Sequence, residues 1–252
     1  MYDLTGFQLK RNAPNLVRMG ISSTRTGIEQ RLGAADLGEG NEFDSTEKAF
    51  NNILDFPVPV DLTTETLLFR VRIAPKRPSN PSEYDSPPSD LAIANRLNPQ
   101  AVRVFYGAFD VETCAFEMKP SMEDIVNERM HVATFRSTRT LRLFDLVRYP
   151  FDMDGPDGPG AVYYFIRSLF SPRDHDYKIS QQLATRIAAR GFDGILYPSA
   201  YSYIRNANAY PNIVLFGAPL ASGQLQLLSI NKMSFQAVSF ACNLGPVLMD
   251  DD

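Results

Sequence analysis

Tyr177-Lys178-Ile179-Ser180-Gln181-Gln182-Leu183 opens a stretch that runs on to Gly191-Phe192-Asp193-Gly194-Ile195-Leu196-Tyr197-Pro198-Ser199. Its hydrophobic period changes at Gly191. Before the glycine, Ile179, Leu183, Ala184, Ile187 and Ala188 fall at helical spacing, which predicts a helix over 177–190 with one apolar side. Gly191 stands where a helix commonly ends in the left-handed conformation. After it, Phe192 to Ser199 is a short apolar run that reads as a strand. A polar loop follows, and then a second strand from Ile213 to Phe216.

Working outward, the upstream chain reads as strands with scattered helices. Residues 1 to 43 mix Gly, Asn and charges without period and read as an irregular N-terminal arm. Asp44 to Leu54 predicts a short helix, with Asp44 as cap, Glu47 three residues on, and Phe50, Ile53 and Leu54 on one face. Leu67 to Ile73 alternates as a strand. Leu67, Phe69, Val71 and Ile73 are expected to face the core, and Leu68, Arg70 and Arg72 the other side. Ala74 to Asp90 holds Pro75, Pro78, Pro81, Pro87 and Pro88 and reads as a loop or flap. Val102 to Phe109 is a second strand. Asp110 then caps a helix with a Val111, Cys114, Ala115, Met118 stripe. Strands are expected at Val132–Phe135 and Thr140–Leu146, a turn-rich break at Asp152–Gly160, and a helix at Ala161–Phe170. Leu225–Ile230 and Phe235–Ala241 read as closing strands. No repeat is visible. The order predicts an α+β fold with a mixed, twisted, split sheet, divided into an arm over 1–63 and a main domain over 64–252.

Bulk properties exclude several function classes. A net charge of −4 over 252 residues argues against direct attraction to a nucleic acid backbone. No run approaches the roughly 20 apolar residues of a membrane span. Asp3, Lys10, Arg11 and Arg18 interrupt the N-terminus, which argues against a secretory signal. Cys114 and Cys242 are too few for a disulfide framework and fit a reducing compartment. The expected site of action is cytoplasmic, with signal-independent delivery left open. There is no phosphate-binding P-loop and no strand-linked dinucleotide glycine motif. His131 and His175 are the only histidines, and no cluster has metal-ligand spacing, so no metal is expected. Ser199 lacks the flanking glycines of a hydrolase nucleophile elbow. Cys114, on an apolar stripe, reads as packing.

The helix–glycine–strand stretch, followed by Asn212-Ile213-Val214-Leu215-Phe216, resembles the C-terminal half of a RES domain. Val104-Phe105-Tyr106-Gly107-Ala108 with Ala115-Phe116-Glu117 resembles the middle of that domain, and Leu68-Phe69-Arg70 its start. The resemblance spans roughly residues 64 to 220. The arginine, glutamate and serine that name the family fall on Arg70, Glu117 and Ser199. Two positions depart from the usual pattern. Ala94-Asn95-Arg96-Leu97-Asn98 lacks the glycine and tryptophan common in that run, and Val71 stands where a tyrosine often follows the first arginine.

The resemblance implies a fold similar to the ADP-ribosyltransferase toxins, NAD⁺ as substrate, and cleavage at the nicotinamide–ribose bond. Phosphorolysis, with phosphate as a second ligand, and hydrolysis both remain open. An antitoxin or immunity protein is the implied partner. The residue types suit those roles. Arg70 and Arg96 carry guanidinium groups, which bind phosphate oxygens with paired donors. Glu117 offers a carboxylate to the oxocarbenium character that builds as the glycosidic bond breaks. Tyr106 offers a ring for stacking and a hydroxyl. Ser199 and Asn212 offer hydrogen bonds to a phosphate or a ribose hydroxyl. Singly, each is an ordinary surface, packing or turn residue; their order together carries the expectation. Mono-ADP-ribosyl transfer to a macromolecular acceptor and a non-catalytic nucleotide-binding module are the competing readings.

Overall fold

A computed structural model of the chain describes residues 42–150, 154–155, 158–170, 177–199 and 211–235. Among these, the order is α1 (Glu42–Asp55), β1 (Pro59–Leu62), β2 (Leu67–Ile73), a 3₁₀ turn (Pro81–Tyr84), β3 (Val104–Ala108), α2 (Val111–Glu117), α3 (Met122–Val126), β4 (Met130–Ser137), β5 (Leu141–Asp145), β6 (Asp154–Gly155), β7 (Gly158–Pro159), α4 (Ala161–Leu169), α5 (Lys178–Ala189), β8 (Gly194–Pro198), β9 (Pro211–Phe216) and β10 (Leu225–Met233). β6 and β7 make a small separate ribbon. The other strands form one eight-stranded mixed sheet in the order β1-β5-β8-β9-β3-β2-β4-β10, in which only β5 and β8 run parallel. The fold is therefore α+β, as the residue pattern predicts.

Two of the sequence signals act as expected. α5 buries Leu183, Ala184 and Ile187, and Gly191 follows it at φ 77°, with its N–H bonded to the Ala188 carbonyl. Gly194 then starts β8 so close to its neighbour that a Cβ would lie 2.1 Å from the Val214 carbonyl oxygen. α2 starts at a true cap, because Asp110 accepts the Thr113 N–H at 2.6 Å.

One face of the sheet carries Val104, Phe144, Ile195 and Val214 against α1, α4 and α5. Farther along the same face, Val71 and Ala108 pack on Cys114 and Ala115 of α2. The opposite face carries Leu68, Phe105, Phe135, Leu143, Leu196, Ile213 and Leu215. Val60 and Leu62 from one edge of the sheet and Leu225 from the other join that second core. Strands from both edges meet there because the sheet curls on itself, as twisted sheets do.

That curl corrects the expected facing of β2. Leu68 is fully buried and Leu67 is exposed, the reverse of their expected places. Alternation identifies two faces, but it cannot tell that both are covered. Other corrections are local. Asp44 lies inside α1, which begins at Glu42. The expected Leu225–Ile230 strand continues to Met233 through a register shift between Leu227 and Ser229. The expected Phe235–Ala241 strand lies outside the described residues except for Phe235, which is in no element. Residues 1–41, the whole 200–210 loop, His175 and Cys242 also fall outside them. Within 1–63, α1 supplies Phe50, Ile53 and Leu54 to the first core, and β1 pairs with β5 in the sheet.

The proline-rich 74–90 segment is tightly held. Tyr84, Asp85 and Ser86 are buried. The Asp85 carboxylate accepts the Ser86, Leu220 and Ala221 N–H groups at 2.7, 3.3 and 2.9 Å. The segment is a loop, as expected, anchored to the turn before β10.

Candidate active site

The sheet splits beside β2. β3 pairs with β9 along its whole length and β2 with β4 from end to end, but β2 and β3 share a single register pair, Phe69 with Ala108. Gly107 sits at that junction. A Cβ there would meet the Phe69 carbonyl oxygen and the Phe105 ring at 2.8 Å each, so only hydrogen fits. Where the strands part, a cavity of about 510 Å³ opens, walled by Arg70 and Arg72 of β2 and by Tyr106 and Gly107 of β3. Glu117 and Lys119 line it from the end of α2, and Asn212 from β9.

Glu117 is the centre of a three-element contact. Its Oε1 accepts the Ser199 hydroxyl at 2.5 Å and the Asn212 side-chain N–H at 2.8 Å. Ser199 is fully buried at the end of β8, and Asn212 lies opposite Tyr197 in the β8–β9 register. Both bonds end on one carboxylate oxygen, which leaves Oε2 without a donor among the described residues. Asp110 fixes where α2 begins, and the helix delivers Glu117 seven positions later.

Arg70 is 7% exposed, and its guanidinium lies 4.9 Å from the Phe105 ring centroid. Its Nη1 has no hydrogen-bond partner among the described residues. Burial, then the charge of Arg72, push its pKa down to about 9, against a smaller opposing pull from Asp85. A buried cation with an unused donor at a cavity wall is chemically suited to an anion. Arg72 differs, because it donates from Nε to the Glu83 carbonyl at 2.9 Å and from Nη2 to the Asp85 carbonyl at 3.4 Å.

Tyr106 lines the cavity, but its hydroxyl is used internally. It donates to Asn98 Oδ1 at 2.9 Å and accepts the Leu97 N–H at 3.0 Å. Burial pushes the phenol well above its ordinary range. Arg96 lines the cavity while bonding the Leu169 carbonyl at 2.6 Å, with its guanidinium 4.9 Å from the Tyr177 ring centroid. It thus ties the 95–98 turn to the end of α4. Cys114 also lines the cavity. Its thiol donates to the Phe69 carbonyl at 3.0 Å, and burial pushes it up to about 12, which keeps it a protonated packing group.

The structure therefore brings Arg70, Arg96, Tyr106, Glu117 and Asn212 to one cavity, with Ser199 reaching it through Glu117. Sequence reasoning missed Lys119, Tyr177 and Tyr197 as lining residues. Tyr177 and Tyr197 carried a signal, since both lie within the stretch that decided the fold. No group of three His, Cys, Asp or Glu side chains among the described residues is placed to hold a metal ion. No helix among them is long and apolar enough to cross a membrane.

Comparison with known proteins agrees with the fold. The family model described as RES domain matches residues 67–232. A chain of the crystal structure of the M. tuberculosis MbcT–MbcA toxin–antitoxin complex superposes with a TM-score of 0.50 at 14% identity, covering 75% of this chain and 93% of that one. No curated protein matches the sequence.

Proposed function

The chain belongs to the RES-domain family, and from that premise we propose that its cavity binds NAD⁺ and cleaves the nicotinamide–ribose bond. The observation that carries the proposal is Glu117, a carboxylate at the cavity wall oriented by Ser199 and Asn212, in the same cavity as the buried cation Arg70.

Arg70 takes a phosphate oxygen of the dinucleotide with its unused Nη1. Tyr106 and Tyr177 offer ring faces to the base or nicotinamide. The bond between ribose C1′ and the nicotinamide nitrogen breaks, its electron pair leaves with the nicotinamide, and positive charge builds on the ribose. Glu117 stabilises that charge or holds a ribose hydroxyl through Oε2. Ser199 and Asn212 hold the carboxylate in place. Arg96 fixes the turn that closes the cavity. Water attacking C1′ yields ADP-ribose and a proton, whereas phosphate yields ADP-ribose phosphate. An acceptor on a macromolecule would give ADP-ribosylation by the same bond cleavage.

The fold shared with a chain of a toxin–antitoxin complex supports a further step. Cleavage here depletes NAD⁺ in the cytoplasm, and a protein antitoxin restrains it. The test is NAD⁺ consumption by the purified protein with and without phosphate, beside folded Arg70→Met and Glu117→Gln variants. Nicotinamide release that is lost in both variants is the expected result. No loss of NAD⁺ from folded protein under either condition overturns it.

A further inference from the structure

We infer that Lys119 is a second anion-binding side chain of this cavity, and that Lys119 and Arg70 together take the diphosphate of a dinucleotide; the identity of that dinucleotide rests on the NAD⁺ reading above.

The backbone at Lys119 is the first observation. α2 ends at Glu117, and Lys119 follows at φ 48°, with its N–H bonded to the Phe116 carbonyl at 3.1 Å. Glycine is the residue that occupies such a position without steric penalty. This chain uses it at the end of α5, where Gly191 has φ 77°. At the end of α2 it instead holds a lysine in the left-handed region, immediately before Pro120. The local fold does not require that side chain, and Lys119 lines the cavity two residues from Glu117.

The second observation is the charge inventory of the cavity. Its charged lining residues are Arg70, Arg72, Arg96, Lys119 and one carboxylate, Glu117. Arg72 is bonded to two backbone carbonyls, and Arg96 to the Leu169 carbonyl and a ring face. Glu117 is bonded to Ser199 and Asn212. Lys119 makes no ion pair or side-chain hydrogen bond among the described residues, and Arg70 Nη1 is buried without a partner. Two uncommitted cations match the two negative charges of a diphosphate, which lets the carboxylate face the uncharged ribose.

The test uses the full chain with inorganic pyrophosphate as the probe, measured by calorimetry, for wild type, Lys119→Gly and Lys119→Arg. Loss of one charge-assisted bond predicts that Lys119→Gly weakens pyrophosphate binding by about tenfold or more. The same variant melts higher, because glycine relieves the left-handed backbone. Lys119→Arg restores binding. With NAD⁺, the rise in KM exceeds the fall in kcat, and nicotinamide riboside, which has no diphosphate, loses less than NAD⁺. Unchanged pyrophosphate affinity in Lys119→Gly, or no pyrophosphate binding by wild type, overturns the inference. Lys119-dependent pyrophosphate binding without nicotinamide release keeps it and sinks the cleavage reading. Nicotinamide release with the same KM in wild type and Lys119→Gly does the reverse.

Discussion

Ser199 donates its hydroxyl to Glu117 Oε1 at 2.5 Å, across 82 residues of sequence. The bond joins the end of β8 to the end of α2, and Asn212 adds β9 through the same oxygen. The carboxylate is therefore held before any ligand arrives, and a preorganised charge is more effective than one that must turn into place.

Replacing Glu117 by Gln keeps an oxygen acceptor for both donors and removes the charge. Thermal unfolding should shift by no more than a few degrees. NAD⁺ cleavage should fall by about a hundredfold or more, the size expected for loss of a group that meets charge developing in the transition state. Ser199→Ala should cost less, about tenfold, because Asn212 still orients the carboxylate. Nicotinamide release followed at saturating NAD⁺ checks both. Equal rates for wild type and Glu117→Gln would remove Glu117 from the chemistry.

Arg70 should trade stability against binding. Burial lowers its pKa to about 9 in the folded protein, well below the ordinary guanidinium range of the unfolded chain. Between that value and the ordinary range the unfolded chain binds more protons, so stability rises with pH from about 9 upward; below 9 the buried charge is a net cost. Arg70→Met removes that cost and should raise Tm at neutral pH, by about 2–4 °C for each kcal/mol relieved. The same variant should lose anion binding. In wild type, the contribution of Arg70 to that binding should be present below pH 9 and fade as pH rises through it. A Tm series from pH 7 to 10 on both proteins tests the sign.

Much of this was legible in the residues, and the losses have physical causes. α5 and Gly191 could be read because period and terminator agree over twelve helical residues. Asp110 could be read because a cap is a local bond. Arg70, Glu117 and Ser199 could be placed by their family pattern, but not the bond between Ser199 and Glu117, which depends on how β8 reaches α2. β1 went unseen. Its four residues, Pro59 to Leu62, carry only Val60 and Leu62 inward, and their partner strand is some 80 residues away. α3 went unseen although Ser121 and Asp124 form a full capping box, because five residues show no period. The burial of Leu68 follows from sheet curl, which no alternation reports.

Tyr106→Phe separates ring from hydroxyl. The hydroxyl bonds Asn98 and Leu97, and Asn98 in turn donates to the Ile93, Pro99 and Val102 carbonyls. Losing it leaves the Leu97 N–H without its acceptor, at about 1–3 kcal/mol of stability. The ring remains, so KM for NAD⁺ should change by less than about threefold if the ring alone meets the ligand. Urea unfolding and steady-state kinetics on the same preparation decide this. A large KM rise with unchanged stability would assign the hydroxyl to the substrate.

Asp85 should control the far wall of the cavity without touching it. Its carboxylate satisfies three backbone N–H groups, of Ser86, Leu220 and Ala221. The segment it anchors supplies the Glu83 and Asp85 carbonyls that hold the Arg72 guanidinium. Asp85→Ala leaves buried donors unpaired and should cost about 2–4 kcal/mol. Release of the segment should also free Arg72 from its carbonyls, beside Arg70 in the same cavity. Limited proteolysis should then cut within 74–90, where wild type resists, and the variant's affinity for pyrophosphate should change while that of a surface control such as Asp90→Ala does not. Resistance equal to wild type would show that the prolines, rather than Asp85, hold the segment in place.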